Sequence, residues 1–429
     1  MSDFEGKSKL GQAAMRAIES ARPDLIAVSK ALYDHPEPAF GEELAAQQLS
    51  DFLGSSGFDI ERGLAGMPTA FKATRQRFDS EAMRKGLRHG HVAILAEYDA
   101  DDDRGHTTGR HLVAGAALGS ALGLAEALDG IYGSVTVIGC PAASTLEGKR
   151  ALAVAGVFEP EDAALGARPA STGLGFQPTI SNTGETHATA RMQVRFNGPA
   201  GEAEARQRLA TSAEAMTREV SEPGQAEVVL TEGGVEIDLR ARTNPDLDGL
   251  IARVRELAGS AAAETGSTAG IEIIGGVPAF NVNRILARRM KTFGDNIGLK
   301  QNRIVKSEPS RASDWGNVSL ITSTVEVAYP ISEDDVQAGT DAFMQASVSQ
   351  YAYDQMLSAS MVVALTGLDL LGDIEFRGFA EGELIRTLKV QGVRRTPRRW
   401  LGVHPVQPKS SSNGQSSVSG SQAARKDRS

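Results

Sequence analysis

Three short stretches concentrate residue types that do chemistry. The first is Gly105-His106-Thr107-Thr108-Gly109-Arg110-His111, the second Pro141-Ala142-Ala143-Ser144, the third Ala167-Arg168-Pro169. Histidine titrates close to neutral pH, so His106 and His111 are candidate general acids or bases. Arg110 and Arg168 offer forked donors that suit a carboxylate or a developing oxyanion. Ser144 is either a nucleophile with a histidine partner or an inert loop hydroxyl. Asp99 either joins the chemistry or orients a loop. Thr107, Thr108, Glu147, Asp314, Trp315 and Asn317 complete the set as candidate substrate-binding groups. Each has a structural alternative: His106 fixes a turn, Asp314 and Asn317 shape the loop before a strand, and Trp315 packs. Arg110 and Arg168 can instead form salt bridges with Asp99 or Glu147.

The elements that must position these residues read as an alternation of strands and helices. Residues 92–99 are a nearly continuous apolar run that turns acidic at its end, the pattern of a central parallel strand delivering polar groups to a site. Residues 112–128 are a helix rich in Ala and Gly, able to pack closely against a sheet. Residues 135–140 are the next buried strand and 162–167 another, with helices expected over 21–34, 42–53 and 149–155. The short strands expected over 58–60 and 70–73 precede a polar loop at 78–89. This order implies an α/β/α layer sandwich. Between about 186 and 276 the pattern becomes β-α-β-β-α-β, a ferredoxin-like split βαβ with a hairpin around Glu232-Gly233-Gly234. It reads as an insertion, because α/β alternation resumes with a helix over 281–298 and a long helix over 340–370. The expected units are 1–185 (first part of the layered domain), 186–278 (inserted α+β domain), 279–391 (second part), and 392–429 (a basic, mostly disordered tail poor in residues to bury).

Composition narrows the partners. The 429-residue chain carries a net charge of −9, which argues against nucleic acid; the one basic run is Arg394-Arg395-Thr396-Pro397-Arg398-Arg399. The single cysteine, Cys140, sits in an apolar run and reads as a buried structural thiol, with no disulfide framework and no cysteine-rich metal site. The first ten residues lack a signal-peptide core. No stretch approaches the roughly 18 apolar residues of a membrane span. A cytoplasmic protein with a small-molecule ligand is the expectation.

The chain resembles the di-zinc aminoacylases and glutamate carboxypeptidases, and most closely the branch with p-aminobenzoyl-glutamate hydrolase. The resemblance covers about residues 21–372. It rests on His35-Pro36-Glu37-Pro38 with Glu42, Gly63-Leu64-Ala65-Gly66-Met67-Pro68-Thr69, Ala96-Glu97-Tyr98-Asp99-Ala100, Pro141-Ala142, Lys149, and Ser313-Asp314 with Gly316-Asn317-Val318-Ser319. It implies an amidohydrolase or peptidase scaffold whose inserted domain serves as a lid and joins a homodimer. It also implies where metal ligands belong. The family's Cys and His positions hold Thr108 and Arg110. Its catalytic and metal-binding Glu positions hold Ala143 and Ser144, and its next His position holds Arg168. Looser matches put a lid-domain His near Glu202, a late His near 330–332, and another at 325–327, where the chain has none. Zinc and its relatives take thiolate, imidazole or carboxylate. Arginine cannot lose its proton and so cannot ligate a cation. The expectation is a degenerate member with no metal and no cofactor. Three functions remain open: a metal-independent enzyme on a small amide-, acyl- or amino-acid-bearing metabolite (a condensation, cyclisation or isomerisation in specialised metabolism), a non-catalytic pseudoenzyme binding a ligand or partner, and a residual metal-dependent amide hydrolase.

Overall fold

A computed structural model of the chain describes residues 2–84, 88–170, 177–178, 186–198, 201–219, 226–231, 234–299 and 312–393. The tail beyond 393 with its basic run, and the hairpin turn at 232–233, lie outside the described residues. The strands are β1 (Asp59–Arg62), β2 (Phe71–Arg77), β3 (Gly90–Ala96), β4 (Gly133–Gly139), β5 (Ala163–Ala170), β6 (Gln177–Pro178), β7 (Ala188–Asn197), β8 (Ala226–Thr231), β9 (Gly234–Ala241), β10 (Thr268–Gly275) and β11 (Ser323–Pro330). The helices are α1 (Ser2–Ser20), α2 (Arg22–Asp34), α3 (Glu43–Ser55), α4 (Ser80–Arg84), α5 (Arg110–Ala127), α6 (Gly148–Val154), α7 (Glu202–Glu219), α8 (Asn244–Thr265), α9 (Arg284–Asn296), α10 (Trp315–Ser319), α11 (Asp341–Ala346), α12 (Gln350–Gly372) and α13 (Ile374–Val390).

Seven strands form one mixed sheet in the order β1-β2-β4-β3-β5-β11-β6. Its centre is parallel: β3 lies between β4 and β5, and β11 runs alongside β5. Both faces are covered, which is why β3, β4, β5 and β11 are apolar along nearly their whole length. One face packs α5 and α12 with α1, α2 and α9. The other is closed by Leu64, Met67, Leu152, Phe158, Trp315 and Val318. The small-residue composition of α5 has a direct use. A Cβ on Gly119 would stand 2.7 Å from Ser360 Oγ, so α5 and α12 touch backbone to side chain there. Cys140 is fully buried at the end of β4, its thiol facing the Ile138 carbonyl at 3.4 Å, and burial pushes its pKa up.

The second sheet, β10-β7-β9-β8, is antiparallel, with α7 and α8 on one face and its own apolar core. β7 shows why: Ala188, Ala190, Met192, Val194 and Phe196 point inward, and Thr189, Arg191, Gln193 and Arg195 point away.

Three differences from the sequence reading have local causes. The polar N-terminus forms α1, because Ala14 and Ile18 bury completely beneath it. The 78–89 segment contains the short helix α4. The single helix expected over 340–370 is two helices, since Thr340 caps α11 and Ser349 starts α12 afresh by accepting from the Ala352 amide. By length and composition α12 could cross a membrane, but it lies buried between α5, α9 and the main sheet.

At the opposite end of the sheet from the candidate site, Glu161 is buried with its side chain only 1% exposed. Lys72 Nζ stands 3.8 Å away, and one carboxyl oxygen has no hydrogen-bond partner among the described residues. Burial, opposed by Lys72, pushes its pKa up from 4.5 to about 7. The folded chain therefore holds this proton more tightly than the unfolded chain. Its contribution to stability is complete below about pH 4.5 and is lost as pH rises through about 7. Glu161→Gln should raise stability by about 3 kcal/mol at pH 8 and hardly at all at pH 4. Urea denaturation at both pH values checks this; an equal gain at the two would refute it.

Candidate functional site

The site lies at the C-terminal end of β3. Beyond Ala96 the side chains continue to alternate, odd-numbered ones sharing a side. Tyr98 goes to one side, donating to the Thr69 carbonyl at 2.7 Å. Glu97, Asp99 and Asp101 go to the other, where they meet Arg110. Gly109, at φ +73°, lets the chain turn sharply into α5, and a Cβ there would stand 2.8 Å from Pro169. Arg110 is the next residue, at the first position of α5.

Arg110 is only 7% exposed. Its Nη1 donates to Asp101 Oδ1 at 2.6 Å, and its Nε lies 3.6 Å from Asp99 Oδ1 and 3.8 Å from Glu97 Oε2. Burial works against its charge, but Asp99, Asp101 and Glu97 outweigh that and raise its pKa. Burial pulls the pKa of Asp101 upward in turn; Arg110 and the two threonine hydroxyls outweigh it and hold the carboxyl below its usual value. Thr107 Oγ1, Thr108 Oγ1 and the Thr108 amide all donate to Asp101 Oδ2 at 2.8, 2.9 and 3.0 Å.

A second cation extends the network. Lys149 on α6 is completely buried, its Nζ 2.7 Å from Glu97 Oε1 and 2.8 Å from Asp314 Oδ1. Its amide also donates to Asp314 Oδ2 at 3.0 Å. Burial disfavours the ammonium, yet Asp314 and Glu97 prevail and raise its pKa; burial raises that of Asp314 despite Lys149. The Trp315 indole donates to Glu97 Oε1 at 3.1 Å. Charges thus alternate along Asp101, Arg110, Glu97, Lys149 and Asp314, tying the end of β3 to α5, α6 and α10.

The loop carrying Ser144 is held from both ends. Glu42 accepts from the Ala142 amide at 2.8 Å and from Thr69 at 3.0 Å, and burial raises its pKa. The Ser144 amide donates to Asp99 Oδ2 at 2.8 Å. The Ser144 hydroxyl is buried with no hydrogen-bond partner among the described residues.

The structure places several candidates differently from the sequence reading. His106 and His111 do not reach the carboxylates. His106 Nε2 lies 3.0 Å from the Leu32 carbonyl, and His111 Nε2 lies 3.4 Å from that of Ser347. Their rings meet edge to face at 5.1 Å, with Tyr33 against His111. Burial lowers the pKa of His106 to about 4, and burial with the neighbouring His106 lowers that of His111 well below its usual value. Arg168 pairs with Glu326 at 2.9 Å instead of Asp99 or Glu147, because β5 and β11 are neighbouring parallel strands. Thr107 and Thr108 spend their hydroxyls on Asp101 instead of facing a ligand. Asp314 is an ion-pair partner and not only a turn residue. Trp315 packs against Gly166 and Phe280 while reaching Glu97. Asn317 is fully buried, with neither end of its amide hydrogen-bonded among the described residues.

Glu147 lies apart from both arginines, in a cleft of about 610 Å³ between the two sheets' domains. Thr145, Leu146, Glu147 and Arg150 form one wall, and the outward face of the small sheet forms the other, with Thr189, Arg191, Glu227, Asp238 and Arg240. Arg191 and Asp238, cross-strand neighbours on β7 and β9 of that second wall, pair at 2.6 Å.

The residues that sequence reasoning undervalued are Glu97, Asp101, Lys149, Glu42 and Glu326. The first two carried a signal: an acid at every second position, 97, 99 and 101, after an apolar strand. The donor set does not suit a transition-metal pair. Among the described residues no group of three or more His, Cys, Asp or Glu converges to hold a metal ion.

No family model matches the chain. It is 27% identical over 400 residues to Xaa-Arg dipeptidase from Mus musculus, covering 84% of this chain and 89% of that protein. It is 30% identical over 186 residues to a component of the p-aminobenzoyl-glutamate hydrolase from Escherichia coli, covering 39% of this chain and 37% of that protein. Among solved structures it is similar to the Bacillus subtilis YXEP protein, a dinuclear metal binding peptidase from the M20 family. That likeness has a TM-score of 0.62 at 16% identity and covers 83% of this chain and 100% of the other.

Proposed function

We propose, of a chain that belongs to the family of the Xaa-Arg dipeptidases and p-aminobenzoyl-glutamate hydrolase, that it binds a small amide- or amino-acid-bearing ligand without hydrolysing it. One observation carries this reading: among the described residues neither nearby histidine reaches the carboxylate network, whose acids are engaged by Arg110 and Lys149. Ala143 and Ser144 stand where the resemblance puts carboxylates, and both nearby histidines are buried against backbone carbonyls. Amide hydrolysis needs an activated water and a proton acceptor. A neutral imidazole with its pKa at about 4 and its Nε2 on the Leu32 carbonyl is a poor proton acceptor.

The ligand enters the cleft between the layered domain and the inserted domain, which has the volume of a small-molecule site. With Arg191 and Asp238 satisfied by each other, Arg150 and Glu147 line one wall of that space and Arg240 and Glu227 the other. Charges of both signs suit a zwitterion, and a dipeptide of the kind named for the mouse relative is the first ligand to try. We take the protein to be a cytoplasmic homodimer joined through the inserted domain, with neither nucleic acid nor membrane as partner.

The test combines binding and turnover on the full chain. Xaa-Arg dipeptides and p-aminobenzoyl-glutamate are expected to raise the melting temperature by a few degrees, with no product by chromatography after prolonged incubation. Cleavage above the buffer blank that tracks the protein would defeat the reading.

A metal-independent enzyme is the second reading, favoured by the Ser144 hydroxyl, which is buried without a hydrogen-bond partner among the described residues while its amide rests on Asp99. It requires a covalent adduct at Ser144 that mass spectrometry detects and that Ser144→Ala abolishes.

A further inference from the structure

We infer that Arg110 is the permanent cation of this site, a tethered counter-ion at a position where the resemblance implies a metal ligand, and that the chain takes no divalent metal there. Whether the cleft binds a dipeptide does not enter the argument.

The three carboxylates around Arg110 are each fixed by donors other than Arg110. Thr107 and Thr108 hold Asp101, the Ser144 amide holds Asp99, and Lys149 with the Trp315 indole holds Glu97. They form a pre-set acidic cage, and like charges packed together require a positive partner. The guanidinium meets one oxygen of each, at 2.6, 3.6 and 3.8 Å. Its charge is permanent, because arginine keeps its proton at any working pH. A divalent ion approaching the same oxygens to the roughly 2.0–2.6 Å of metal-oxygen bonds would have to displace that group or sit against its charge. The residues that would otherwise compete for an ion at this spot are a threonine, an alanine and a serine at 108, 143 and 144. None offers a soft or anionic donor. The cation needed by the cage is therefore part of the chain, and the fold does not depend on metal supply.

The experiment measures metal content and melting temperature of the full chain, purified without chelators. The wild type is expected to hold only traces of zinc, manganese, cobalt and calcium. Its melting temperature should be the same with EDTA, with zinc and with manganese. Arg110→Met should melt several degrees lower and regain part of that loss when manganese or calcium screens the exposed carboxylates. Arg110→Lys, which keeps the charge, should melt between the two. Near-stoichiometric metal in the wild type, or a fall in its melting temperature on adding EDTA, would overturn the inference. So would an Arg110→Met protein that melts with the wild type and ignores both ions. Should Arg110→Met yield no folded protein, wild-type metal content and the Arg110→Lys melting temperature decide the matter alone. No ligand is used, so a failed dipeptide experiment leaves these outcomes unaffected.

Discussion

Lys149→Met is expected to destabilise the protein by about 3–5 kcal/mol, the usual result of removing one partner from a buried ion pair. Lys149 is 0% exposed and is the charged partner of both Glu97 and Asp314. Methionine fills most of the volume but leaves two buried carboxylates facing each other. Urea unfolding followed by tryptophan fluorescence is well placed to measure this, because the Trp315 indole shares Glu97 with Lys149. A double-mutant cycle with Asp314→Asn should show strong coupling, since contacting members of one network are not additive. A loss below about 1 kcal/mol would mean that the network is not held by its charges.

Acid should unfold the protein unusually early, through His106 and His111. Both are neutral in the fold, and burial is the main cause of their lowered pKa values. A group with a depressed folded pKa stabilises above its unfolded value and loses that contribution as pH falls through the folded one. For His106 the window runs from 6.5 down to about 4. That residue alone accounts for about 3 kcal/mol by the bottom of the window, and His111 adds to it. His111→Phe preserves the ring packed against Tyr33 and cannot charge, so its acid unfolding midpoint should move to lower pH. An unmoved midpoint would count against the assignment. Glu161 acts in the opposite direction over a range that overlaps this one, from 4.5 up to about 7, so the two partly offset each other and the stability maximum should fall within the shared range.

The layered fold was readable because its signals are local and repeated. The run at 92–99 could only be a buried strand with an acidic end, and β3 with Glu97 and Asp99 is that strand. The alternation from Ala188 to Phe196 marked a half-covered antiparallel strand in the same way. Partnerships across the fold were not readable. Nothing near His106 announces the Leu32 carbonyl 74 positions away, and nothing near Arg168 announces Glu326. The break between α11 and α12 was missed because Ser347-Val348-Ser349 interrupts a helical apolar pattern with capping chemistry and not with Gly or Pro. The acidic triplet was visible as spacing, but its meaning depended on Arg110 arriving from a different element.

The small sheet is attached by neighbouring strands. The polypeptide leaves the large domain at β7 and returns after β10, and these two are paired, with the Thr189 amide bonded to the Val277 carbonyl at 2.8 Å. Its α7 and α8 helices and both inner strands close a core of their own. Excision between 188 and 277 therefore leaves two chain ends side by side, which a short glycine linker can rejoin. Such a trimmed protein would keep the arginine-carboxylate centre intact while losing one wall of the cleft, separating the ion network from ligand capture as two independently removable parts.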